Sequence, residues 1–232
     1  MKILRNTVQT MTSRWPALLL PALLSIILGL SGCTTTVVDE LRVAPGQLEL
    51  SGPEAVVVLG RRHSGGYETE PGFIECIGGR LSRADGMRVI DELEFVNALY
   101  PWFEPRTAPM TTQRLELLWQ QPLIRARLTA MNLRYIIWID GTTDTDNSKG
   151  SLSCAVMPGA AGCFGFASWE KTSAYEAVIW DVAEFMERGR VNVDAQGTSY
   201  LLAVGAPIPF IARVQGEACD SIGSQLRSFF EG

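Results

Sequence analysis

The sequence carries one histidine, His63, in 232 residues, and it contains no run of basic side chains. A single imidazole confines any histidine-based mechanism to one position and removes the histidine clusters of most catalytic zinc sites. Lysine and arginine total 20 against 25 acidic residues, a net charge of −5. Nucleic-acid binding draws most of its affinity from neutralised phosphates, so an acidic chain without a basic stripe falls outside that class. Closely spaced C-x2-C pairs and the G-x-S-x-G nucleophile elbow are also missing. The first excludes the usual structural zinc sites, and the second excludes the commonest serine hydrolase arrangement.

The amino-terminal stretch has an ordered chemistry. Lys2, Arg5 and Arg14 give a positive leader without acidic residues, followed by an apolar stretch from Trp15 to Leu30 that carries Pro16 and Pro21. A spanning helix needs about 20 apolar residues with few interruptions, so this order reads as a secretory signal peptide over residues 1–32. The stretch ends in Leu30-Ser31-Gly32-Cys33, which resembles the lipobox of bacterial lipoproteins at every position. The resemblance, which covers the leader alone, implies lipid transfer to the Cys33 thiol, cleavage before Cys33, and acylation of the new amino terminus by a fatty acid such as palmitate. Thr34, where Asp would favour inner-membrane retention, implies the periplasmic face of the outer membrane. Two or three acyl chains anchor stably where one is marginal. Loss of the leader would leave 17 basic and 25 acidic residues, a charge of −8.

Export brings the remaining cysteines, Cys76, Cys154, Cys163 and Cys219, into an oxidising compartment. Pro158-Gly159 and Gly162 can fold the chain between Cys154 and Cys163, favouring that bridge. Cys76 and Cys219 then form a second bridge or remain buried thiols on separate helices.

Residues 33–53 read as a polar tether, with Pro45-Gly46 and Gly52-Pro53, leading into a single periplasmic α/β domain over residues 54–232. Ala55 to Leu59 is an apolar valine-rich run suited to a strand buried on both faces and central in a sheet. Phe73, Ile74, Ile77 and Leu81 fall at helical spacing, and a short strand followed by a helical turn fits Val89 to Tyr100. Thr111 or Thr112 caps a further helix that Pro122 interrupts. Arg134 to Asp140 is the plainest strand, with a loop expected from Gly141 to Gly150. Strand character returns near Leu152 to Val156, Ser173 to Val182 and Asn192 to Val204, and an amphipathic helix closes the chain from Glu217 to Phe230. The expected fold class is α/β (α+β): a mixed sheet of about five strands with helices packed on it and a C-terminal helix. In element order this is similar to the small α/β domain of curli-secretion lipoproteins and of the amino-terminal part of TolB. That similarity implies a fold and no functional residue.

Two polar motifs and one aromatic segment carry candidate chemistry. His63, in Gly60-Arg61-Arg62-His63-Ser64-Gly65-Gly66, could serve as a hydrolytic base with Ser221 and with Asp140 or Asp220, but the glycines fit a turn equally well. Gly66 and Tyr67 stand where a phosphate-binding loop needs Lys and Ser or Thr. In the run from Asp140 to Asn147, a calcium loop begun at Asp144 would place Lys149 where Gly is needed and Ala155 where Glu is needed. No metal or cofactor is expected. Tyr100, Trp102, Phe103 and Glu104 concentrate aromatics between Pro101 and Pro105, a composition suited to a protein-contact patch or to the core. The expected function is a lipid-anchored, non-catalytic envelope accessory or assembly protein with an envelope protein partner. The competing expectation is an envelope hydrolase using His63.

Overall fold

The fold was analysed in a computed structural model that describes residues 36–43, 46–61, 69–83, 87–104 and 106–231. Cys33 and His63 lie outside the described residues. Six strands form one sheet: β1 (Thr36–Val43), β2 (Ala55–Gly60), β3 (Arg88–Ile90), β4 (Leu133–Met157), β5 (Ala160–Asp181) and β6 (Met186–Phe210). Their order across the sheet is β1-β6-β5-β4-β2-β3. β3, β2 and β4 run parallel, and β4, β5, β6 and β1 run antiparallel, so the sheet is mixed. It is larger than the five strands expected.

Five helices accompany it among the described residues: α1 (Pro71–Leu81), α2 (Glu92–Ala98), α3 (Thr112–Trp119), α4 (Pro122–Ala130) and α5 (Val214–Phe230). Their ends follow local chemistry. Asp91 caps α2 by accepting from Leu93 N at 2.9 Å and Glu94 N at 3.1 Å, and Thr111 caps α3 by accepting from Arg114 N at 3.3 Å. Pro122 opens α4, which gives the break expected there. Asn132, at φ 52°, then turns the chain from α4 into β4.

Strand alternation sorts the core into two layers. Val56, Val58, Ile137, Ile139, Ala177 and Ile179 face α1 and α5, where they meet Phe73, Ile77, Ile222 and Leu226. Val57, Leu59, Ile136, Trp138, Val178 and Trp180 face α2, α3 and α4, where they meet Phe95, Leu115 and Leu128. β2 is buried at every residue, as a strand covered on both sides must be. Trp180 and Val178 share a face, as alternation predicts.

Two expectations are corrected. The tether expected over residues 33–53 contains β1, whose eight residues pair with β6 from Thr36 opposite Gly197 to Val43 opposite Arg190. Val37, Val38, Leu41 and Val43 supply the β-branched and aliphatic character that the surrounding polar residues masked. The loop expected from Gly141 to Gly150 is strand instead. β4 runs through it against β5 with one irregularity between Asp146 and Lys149. Asp, Thr and Ser favour turns when a chain is free, but here a long cross-strand ladder satisfies their backbone.

Both disulfides form. Cys76 joins α1 to Cys219 on α5, and Cys154 joins Cys163 directly across the β4–β5 ladder.

Candidate functional site: an arm and its root

β4, β5 and β6 continue well past the point where their neighbours stop. β2 ends at Gly60 opposite Ile139, and β1 ends at Thr36 opposite Gly197. Beyond those levels the three strands pair with one another as an arm, up to the turn at Pro158 and Gly159. At about 3.3 Å per residue, the stretch of β5 from Lys171 to Ala160 carries the arm roughly 36 Å past the end of β1. After Gly205, at φ 88°, the chain reverses, so that Ala212 N donates to Ser199 Oγ at 3.1 Å.

The root of the arm is a knot of polar side chains in the α1 and α5 layer. Glu70, just before α1, accepts from Thr143 N through Oε1 and from the Tyr175 hydroxyl through Oε2, each at 2.8 Å. Thr143 Oγ1 lies 2.7 Å from Ser173 Oγ and 2.8 Å from the Tyr175 oxygen, and Gln215 Nε2 donates to that same oxygen at 3.4 Å. Phe73 stacks on the Tyr175 ring with centroids 3.7 Å apart. Burial, with the carboxylate of Glu70 close by, pushes the Tyr175 hydroxyl up to about 12, although Thr143 and Gln215 oppose the shift. Glu70 therefore covers the edge of β4 just where β2 has ended. Gly141, at φ 134°, sits at this root, and a Cβ there would lie 2.0 Å from Ala174 O.

The opposite face of the root is acidic. A cleft of about 580 Å³ is lined by Leu41, Asp140, Gly141, Tyr175, Glu176 and Asp194. Glu176 pairs with Arg190, which also binds Glu187 Oε2 at 2.9 Å, and Asp140 faces Arg61 at 3.9 Å. Hydrogen bonding to Glu187, and then to Glu176, raises the Arg190 pKa above its ordinary value against the effect of burial.

Outward from the root the arm changes character. Residues 150–168 and 195–212 contain no Asp, Glu, Lys, Arg or His. Phe164, Phe166, Tyr200, Leu202 and Val204 share one face by register, and all are exposed, Phe164 at 63% and Val204 at 73%. On the same face β4 presents Lys149, Ser151 and Ser153. The face is thus polar along β4 from Lys149 to Ser153, with Ala155 and Met157 beyond, and apolar along β5 and β6.

The sequence-derived candidates are scattered. Phe103 is core, edge-on to Phe95 at 4.9 Å, whereas Tyr100 is 64% exposed. Trp102 is half-buried with the Arg127 guanidinium 5.8 Å from its ring, and the Glu104 carbonyl accepts from Ala108 N at 2.8 Å. Ser221 lies on α5, bonded by Gln225 Nε2 at 3.3 Å, while Asp140 lies on the other side of the sheet. Asp220 pairs with Arg80. The sheet keeps Ser221 and Asp140 apart. Sequence reading found pieces of the arm, the strand character near Leu152 to Val156 and Asn192 to Val204 and the Cys154–Cys163 turn, but not its continuity. Its readable signal is the absence of charge from 150 to 168 together with the alternation at Leu152, Cys154 and Val156 and at Phe164 and Phe166.

No family model matches the chain, and no curated protein matches it. Among solved structures it is similar to a variant PelC dodecamer from Paraburkholderia phytofirmans, with a TM-score of 0.37 and 13% identity over 85% of this chain and 99% of that one. A second PelC dodecamer from the same organism gives 0.36 and 14% over 84% and 97%. Likeness at this level does not establish a shared fold or function.

Proposed function

We propose that this chain is a lipid-anchored accessory or assembly protein of the cell envelope, held at the periplasmic face of the outer membrane through Cys33 and working by contact with another envelope protein rather than by catalysis. The observation that carries the reading is the short stretch of sequence between the lipobox cysteine and β1. Cys33 precedes β1 by three residues, a reach of at most about 11 Å, so lipid on that thiol would hold the sheet itself against the membrane. The lipobox and the positive, apolar leader support the modification, and the two disulfides suit an oxidising compartment. The side of the fold built from α2, α3 and α4 offers the protein contact. Tyr100 is exposed there, as are Leu93, Leu117 and Leu123, while Phe103 fastens the segment to the core.

Crosslinking in intact cells, with mass spectrometry of what co-purifies, tests both parts. The amino-terminal peptide is expected to begin at acylated Cys33, and Cys33→Ala to lose both the acyl mass and the recovered partner. Tyr100→Ala is expected to weaken partner recovery without unfolding the domain. An unmodified Cys33, or recovery unchanged by both substitutions, would refute the reading.

A further inference from the structure

Three observations converge on the arm. The first is the abrupt loss of charge. Glu170, Lys171 and Asp146 mark the last charged level of the arm proper, Lys149 follows on the polar edge, and beyond Ser168 and Thr198 the paired strands carry none. The second is the amphipathic aromatic at that boundary on the same face, Tyr200 opposite Ser168. Tryptophan and tyrosine favour the level where headgroups meet acyl chains. The third is direction. β1 is antiparallel to β6 with Thr36 opposite Gly197, so the amino-terminal end of β1 points toward the side on which β6 continues into the arm.

We infer that the apolar β5–β6 face of the arm, formed by Phe164, Phe166, Leu202 and Val204, inserts into the leaflet that holds the acyl chains of Cys33. The inference rests on the proposed lipidation for its direction and on the missing charge for its chemistry. A lipid surface suits exposed aromatic and aliphatic side chains on strands that carry no charge beyond the level of Lys149. The β4 side limits the depth. Its outer edge beyond Thr143 is unpaired among the described strands, and bare amides are costly in hydrocarbon. Lys149, Ser151 and Ser153 hold that edge at the headgroups while the opposite side of the ribbon enters the acyl region. The Cys154–Cys163 bridge keeps the two sides in fixed register. This is interfacial docking of a β-ribbon, governed by the rules that place amphipathic helices in a membrane plane.

The test uses the full acylated protein in vesicles of phosphatidylethanolamine and phosphatidylglycerol containing a phospholipid with a diazirine on its acyl chain. After photolysis, adducts are expected on Phe164, Phe166, Leu202 and Val204 at no less than about ten times their level on Ser151 and Ser153. A Phe166→Glu, Leu202→Glu double variant is expected to lose the arm adducts while keeping its far-ultraviolet spectrum and its acylated amino terminus. Arm adducts no more frequent than those on α5 would overturn the inference, as would equal labelling of Ser151 and Ser153. Arm adducts from a protein whose Cys33 proves unmodified would uphold the membrane contact and remove the anchor.

Discussion

Glu70 and Tyr175 are joined at 2.8 Å across 105 residues of sequence, and the second oxygen of the same carboxylate holds Thr143 N. One side chain thereby ties the start of α1 to both strands at the root of the arm. Tyr175→Phe keeps the ring stacked on Phe73 but leaves Glu70 Oε2 without its tyrosine donor. A loss of about 1–3 kcal/mol is expected from chemical denaturation.

Alkaline titration should expose the same contact. The folded protein holds the Tyr175 proton up to about 12, against an ordinary value of 10.0. The unfolded chain binds fewer protons than the folded one between those values, so stability falls as pH rises through that window and is fully present below it. The loss is on the order of 2 kcal/mol. Tyr175→Phe should flatten this part of the stability curve, and an unchanged slope would count against the shift.

Gly141→Ala puts a methyl group against the Ala174 carbonyl at 2.0 Å and demands φ 134° of an L residue. Destabilisation of at least 2 kcal/mol is expected, with hydrogen exchange accelerated in β4 and β5 at the root.

Asp181 is fully buried at the β5–β6 turn. It accepts from Arg134 Nη2 at 2.8 Å, Arg188 Nε at 3.2 Å, Ala183 N at 2.9 Å and Glu184 N at 3.0 Å. Removing the carboxylate leaves Arg134 and Arg188 with Glu184 alone and two backbone amides without their acceptor. Asp181→Ala should cost about 3–5 kcal/mol, readable from the urea midpoint.

The two disulfides should differ in weight. Closing 143 residues between Cys76 and Cys219 removes more unfolded-chain entropy than closing 9 between Cys154 and Cys163, roughly 5 against 3 kcal/mol. Cys76→Ser with Cys219→Ser is expected to lower the Tm well below that of Cys154→Ser with Cys163→Ser. The short bridge should instead show itself as faster exchange confined to the arm.

Much of the sheet was readable because its residues answer to local rules. Ala55 to Leu59 and Arg134 to Asp140 are apolar runs that only a covered strand explains, and Pro122 and Thr111 mark helix ends by their own chemistry. The arm was hidden by the reverse situation. Thr143, Asp144, Thr145 and Asp146 look like loop residues because nothing local holds them extended; their order comes from β5, many residues away. Glu70 carried no signal either, since its partners Thr143 and Tyr175 lie 73 and 105 residues downstream. β1 failed for a related reason: eight residues at a sheet edge need only modest apolar character once β6 offers a ladder.

The position of β1 also has a mechanical meaning. A lipid on Cys33 would pull at the end of a strand, along the axis of its ladder with β6, instead of at the end of a slack cord. Load directed that way is shared in shear by the whole eight-residue pairing, whereas a pull across the sheet would open it one pair at a time. Were Cys33 lipidated as proposed, load reaching β1 would pass through this pairing into β6, one of the two longest strands among the described residues.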